Sequence, residues 1–299
     1  MAEDYSKYLD PKVLNKVGNL EVKARLIVEG FMSGLHESPY KGSSVEFAEH
    51  REYVPGDDLR YLDWKVYGKS DRYYIKEFEE ETNLKAYVVV DTSNSMAYGT
   101  NGVTKLEYAK YVAASLLYLV QRQRDAGALV TFGEGVRTFL PPSSSQAHFR
   151  NCLSELSSQE PEGDTDLGAI FNEVAERLRS KSLVVVLSDL FDENEEGLMR
   201  GLHRMAHRGH DVIVFHVLDG DELEFPFERM TRFEGLEIDE KLLADPRALR
   251  EAYLEELGAF QTRIKSACLG GRMDYQVLDT SRPLDLALST YLAQRTGTR

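Results

Sequence analysis

Apolar residues along the last two-thirds of the chain fall in short unbroken runs, each followed by a longer stretch in which they recur every three or four positions. The runs at 86–90, 127–132, 183–187, 212–217 and 274–278 are rich in β-branched and aromatic residues and too short for helices, so they predict buried strands. Helical spacing predicts helices over 104–122, 145–156, from the 162–168 loop to about 179, and over 195–207, 246–267 and 283–294. Thr104-Lys105-Leu106-Glu107 has capping-box spacing and marks the start of the first of these. Strand and helix alternate from residue 84 onward, which predicts an α/β fold with a doubly wound, mostly parallel sheet and helices on both faces.

Other stretches break the alternation. Residues 136–140 predict an antiparallel edge strand that Pro141-Pro142 stops. Residues 219–245 carry Phe225, Phe227 and Phe233 in no helical period and predict an inserted hairpin or loop. Ahead of the sheet, residues 10–32 predict one or two helices, and 72–78 a strand ending in Glu79-Glu80-Glu81. Pro55-Gly56 has type II turn chemistry, within a stretch from Arg51 to Trp64 that mixes charges of both signs. The expected organisation is an amino-terminal segment over 1–82, with helical and β parts packed on the main domain, and a sheet domain over 83–299.

Chemistry concentrates where the first predicted strand ends. Asp91-Thr92-Ser93-Asn94-Ser95 places a carboxylate and two hydroxyls, from alternate residues of one loop, at the strand's carboxyl end, the edge at which open α/β sheets bind ligands. Oxygen donors alone suit a hard cation such as Mg²⁺. The bland alternative is a Ser/Asn turn that caps a helix. The strand at 183–187 ends similarly, in Ser188-Asp189.

Composition removes several function classes. Fifty acidic residues against 36 basic give a net charge of −14, which opposes binding to a phosphate backbone. Apolar runs fall well short of the ~20 residues a membrane span needs, and the acidic start Met1-Ala2-Glu3-Asp4-Tyr5 does not resemble a leader. Cys152 and Cys268 fit no metal or redox spacing and are expected to be reduced packing residues of a cytoplasmic protein.

Asp91, Ser93 and Ser95, then Thr165 in a loop before a helix, then Asp189 after an apolar strand, resemble the metal-ion-dependent adhesion site (MIDAS) of a von Willebrand factor A domain. Pro55-Gly56-Asp57-Asp58-Leu59-Arg60, Asp63-Trp64 and Asp279-Thr280-Ser281-Arg282-Pro283-Leu284 around that domain resemble the family catalogued as domain of unknown function 58. The resemblance implies Asp91, Ser93, Ser95, Thr165 and Asp189 as metal ligands, Mg²⁺ as the ion with Mn²⁺ or Ca²⁺ as substitutes, and a carboxylate of a protein partner at an exchangeable position. It also implies an adaptor or co-chaperone working with a MoxR-type AAA+ ATPase or its client. A Mg²⁺-dependent hydrolase or phosphoryl-transfer enzyme is the rival expectation, but no phosphate-binding loop or nucleophile elbow accompanies the site. His203 and His207 lie four apart as zinc ligands can, yet Arg204 replaces the glutamate of that motif, so an exposed helical face is expected there.

Overall fold

The computed structural model describes residues 10–37, 50–52, 74–76, 84–100, 102–192, 194–234 and 241–290. The chain divides into two compact units, one formed by 1–37 with 84–299 and the other by 38–83. In the smaller unit, β1 (His50–Glu52) pairs antiparallel with β2 (Tyr74–Lys76), within the stretch expected as a strand. The Pro55-Gly56 turn, Trp64 and Glu79-Glu80-Glu81 lie outside the described residues.

The larger unit opens with two helices, α1 (Pro11–Leu14), capped by the Asp10 carboxylate, and α2 (Leu20–Glu37). Its sheet then builds outward from β3 (Lys85–Asp91). The chain continues through α3 (Lys105–Arg122), β4 (Ala126–Phe132), β5 (Val136–Ser143), α4 (Gln146–Ser158), α5 (Leu167–Arg177), β6 (Leu183–Ser188), α6 (Glu195–His207) and β7 (Asp211–Leu218). A short helix, α7 (Gly220–Glu224), and the hairpin β8 (Thr231–Glu234) with β9 (Lys241–Ala244) form the expected insertion. The long helix α8 (Pro246–Gly270), β10 (Asp274–Asp279) and helical residues 285–290 end the described chain.

The strand order is β10-β7-β6-β3-β4-β5, with β5 antiparallel and every other pairing parallel. Chain order reverses at β3, whose successor β4 lies on one side and β6 on the other, so a crevice opens beyond the carboxyl ends of β3 and β6. Side-chain alternation divides the core between two faces. Val88 and Val90 point to a layer made by α2, α3 and α4, while Tyr87 and Val89 point to one made by α5, α6 and α8. Helix α3 is buried around most of its circumference because it is covered from outside by α2, through Ala24, Ile27, Val28 and Phe31. The helical stretch expected in the amino-terminal segment is therefore part of the sheet domain's core.

One expectation is corrected. The edge strand β5 is not stopped by Pro141-Pro142 but runs on to Ser143. Leu140 pairs with Leu129 and Ser143 with Gly127, so the two prolines together oppose Ala128 in a bulge, where a missing N–H breaks no ladder bond. Cys152 and Cys268 are free and buried on opposite faces of the sheet. Among the described residues no helix is long and apolar enough to cross a membrane.

Candidate functional site at the sheet switch point

Asp91 is the last residue of β3 and is almost wholly buried. Its Oδ1 accepts from the Ser93 backbone N–H at 2.9 Å, which bends the chain into the loop, and its Oδ2 accepts from Ser188 Oγ at 2.5 Å. A single turn of 3₁₀ helix, Asn94–Ala97, follows, and it brings Ser93 Oγ and Ser95 Oγ to 3.0 Å of one another. The two hydroxyls thus share one face of the loop.

The 162–165 loop is stitched to this one through the backbone. The Glu162 N–H donates to the Thr92 carbonyl and the Asn94 N–H to the Gly163 carbonyl, both at 3.0 Å. Gly163, at φ +76°, adopts the left-handed turn that this close approach requires. Two residues later Thr165 Oγ1 is buried with no hydrogen-bond partner among the described residues, an uncommon state for a hydroxyl. Asp166 then caps α5 by accepting from the Ala169 N–H, and Asp192 accepts from the Leu167 N–H at 2.7 Å, which ties this loop to the one after β6.

That last loop carries Asp189. Leu190 after it has φ +55°, a conformation strained for a branched side chain, and the turn lets the Phe191 N–H donate back to Asp189 Oδ1 at 3.2 Å. The other oxygen, Oδ2, accepts from Lys105 Nζ at 2.7 Å. Lys105 Nζ also donates to Glu222 Oε1 at 2.8 Å, so α3, the end of β6 and α7 meet on one ammonium. Asp219, which begins α7 with a full capping box, anchors the neighbouring loops by accepting from Thr100 Oγ1 and Thr280 Oγ1, each at 2.8 Å.

Electrostatics separate the two buried carboxylates. Burial, with the Asp189 charge adding to it, pushes Asp91 up to about 7. Burial alone would also raise Asp189, but the Lys105 ammonium, by charge and by hydrogen bond, holds it below the usual carboxylate range. Burial would lower Lys105, and its two carboxylate partners raise it instead. Lys105 and Asp189 thus form an ion pair, with Asp91 beside it as the group that takes a proton most readily.

All five residues singled out in the sequence lie at this carboxyl edge, Asp91 at the end of β3 and Ser93, Ser95, Thr165 and Asp189 on the three loops beyond the strands. Among the described residues no group of three or more His, Cys, Asp or Glu side chains converges as a metal cluster, so any cation here would rest on two carboxylates and hydroxyls. Sequence reasoning missed Glu222 and noted Lys105 only in the capping box and Ser188 only as a polar strand end, without their contacts at the site. The signal for Lys105 was its place at the first helical position, where the helix dipole disfavours a cation and a specific acceptor must hold it. The exposed helical face expected at His203 and His207 is corrected in part: His203 is half-buried and its Nε2–H donates to the Ala267 carbonyl oxygen at 2.9 Å, joining α6 to α8, while His207 is exposed.

The chain is 28% identical over 221 residues to the uncharacterized protein Rv1480 of Mycobacterium tuberculosis, a match spanning 73% of this chain and 68% of that one. It is also 28% identical over 110 residues to the uncharacterized protein YeaD of Bacillus subtilis, covering 37% of this chain and 25% of the relative. Among solved structures, the conserved hypothetical protein BatB from Bacteroides thetaiotaomicron aligns at a TM-score of 0.49 and 20% identity, over 72% of this chain and 99% of that one. The family described as protein of unknown function DUF58 matches residues 49–263, most of the chain, and this protein belongs to that family.

Proposed function

We propose that the protein is a cytoplasmic, metal-dependent protein-binding adaptor or co-chaperone. On this reading Asp91, Ser93, Ser95, Thr165 and Asp189 hold a divalent cation, Mg²⁺ first and Mn²⁺ or Ca²⁺ as substitutes, in a MIDAS-type site. The observation that carries it is Thr165 Oγ1, a buried hydroxyl with no partner among the described residues, on a loop stitched to the one that presents Ser93 and Ser95. A buried polar group left unpaired costs about 1–3 kcal/mol, and a cation would satisfy it. The donor set is all oxygen, which suits a hard ion.

When bound, the ion would supply positive charge and an exchangeable position for a partner's carboxylate. The chain's own residues do the rest. Asp91 is oriented by Ser93 and Ser188, and Asp189 is oriented by Lys105 and the Phe191 N–H. A partner of the MoxR-type AAA+ ATPase class, or its client, follows from the resemblance of the chain to its family. Calorimetric titration of the full chain with Mg²⁺ and Mn²⁺ tests the ion site. Asp91→Ala, and Ser93→Ala with Ser95→Ala, should abolish the binding heat while circular dichroism stays unchanged; unaltered heats in Asp91→Ala would remove the assignment.

A further inference from the structure

A cavity of about 570 Å³ opens beside the candidate ion site and shares Ser95, Lys105 and Asp189 with it. Its walls are aromatic: Phe191, Phe225, Phe227, Phe233, Tyr253 and Phe260, drawn from the loop after β6, the insertion and α8. Phe225 lies 4.7 Å from Tyr253 and 5.1 Å from Phe227, centroid to centroid, so the insertion packs as a ring cluster against α8. Phe191 is different, with 57% of its surface exposed. Two of the non-glycine residues with positive φ, Leu190 and Phe225, line this cavity, and strained backbone of that kind gathers at binding sites.

His216, from β7, closes the floor of the cavity and is 1% exposed, with its Nδ1 2.7 Å from Tyr275 Oη. Charge says what the cavity would take. Six carboxylates line the cavity against two cations, Lys105 and Arg263. Asp189 and Glu222 share Lys105, and Glu195 and Glu256 share Arg263. Asp192 and Asp221 lie outside both pairings, and they leave the rim negative.

We propose that this cleft is a second recognition site, for a protein segment in which a bulky apolar residue stands next to a lysine or arginine. The apolar side chain fills the aromatic walls, and the cation rests among the aromatic faces and the surplus rim carboxylates, chiefly Asp221. An acidic segment would meet like charge at the rim. Recognition here is built from side chains alone and does not require an ion, so it goes beyond the function proposed above and stands or falls separately.

The test uses acetyl-phenylalanyl-lysyl amide, with the phenylalanyl-glutamyl and alanyl-lysyl congeners, in ligand-detected saturation-transfer NMR on the full chain with EDTA throughout. EDTA keeps any failure of ion-mediated binding out of the result. The phenylalanyl-lysyl probe should show saturable transfer, and each congener should bind at least about fivefold more weakly. Asp221→Asn should weaken the probe about threefold or more, and Phe191→Ser likewise; both residues reach the surface, and unchanged melting curves would show that the variants are folded. Equal binding of the three probes, no transfer at all, or folded variants that bind like the wild type would each overturn the proposal.

Discussion

Lys105 Nζ donates to Asp189 Oδ2 at 2.7 Å, joining the first turn of α3 to the end of β6 across 84 residues, with 4% and 3% of the two side chains exposed. Removing one partner from such a pair leaves the other charge buried and uncompensated, which costs about 3 to 5 kcal/mol. We expect Lys105→Met to lower the melting temperature by several degrees in EDTA. Mg²⁺ should restore part of the loss, since it would place positive charge beside Asp189 again. Chemical denaturation of Lys105→Met with and without Mg²⁺ measures both effects; a variant as stable as the wild type would show that the pair does not carry the site's charge balance.

Thr165 gives a prediction with opposite signs in two conditions. Thr165→Val keeps the shape and removes a buried hydroxyl that has no partner among the described residues, so in EDTA it should leave stability unchanged or raise it by about 1 kcal/mol. In Mg²⁺ the wild type should gain melting temperature by ligand linkage while the variant does not. Melting curves of both proteins in the two buffers check this, and an equal Mg²⁺ response would place Thr165 outside the ion site.

His216 predicts an acid sensitivity. Burial holds its imidazole down to about 4, against an ordinary value of 6.5. Above pH 6.5 it is neutral in both folded and unfolded chains and costs nothing. Between pH 6.5 and 4 the unfolded chain takes up a proton on this residue that the folded one refuses, so the contribution of His216 to stability should fall by about 3 kcal/mol across that window. Asp91, pushed up to about 7, binds a proton in the folded chain over the same range and contributes with the opposite sign, so urea denaturation at pH 7.5, 5.5 and 4.5 should show the His216 contribution as the difference in slope between the wild type and His216→Asn.

Gly168 in α5 and Gly258 in α8 should respond oppositely to the same substitution. A Cβ at Gly168 would stand 2.7 Å from the Gly197 backbone of α6, where only a shift of one helix makes room. Overpacking of this kind costs about 1 to 3 kcal/mol. Gly258 has nothing within 4 Å of its added Cβ and no special φ, so alanine should stabilise it by about 0.5 to 1 kcal/mol. Melting temperatures of the two variants, moving down and up respectively, test how tightly α5 and α6 set the Thr165 and Asp189 loops.

The sequence made the sheet legible because a parallel strand buried on both faces leaves an unmistakable run, as at Val88, Val89 and Val90. The carboxylate and hydroxyls at Asp91, Ser93 and Ser95 were legible for the same reason, since the strand's end fixes the loop. Thr165 and Asp189 came from family resemblance, because nothing local says which loops converge. The meeting of Lys105 and Glu222 escaped altogether: it spans 117 residues and depends on where α7 docks. Pro141-Pro142 misled for a different reason. A proline pair stops a strand only where its N–H groups are needed, and the bulge opposite Ala128 that removes the need is not written in the local sequence.

That bulge bears on how the protein behaves at high concentration. An open sheet has two edges at which a foreign strand can add, and an unpaired edge is a template for aggregation. On the β5 side, Pro141 and Pro142 offer no N–H to an incoming chain and the bulge distorts the line along which it would pair. Replacing the two prolines with valines should return two N–H groups to that edge and raise the tendency of copies of this protein to pair there at high concentration.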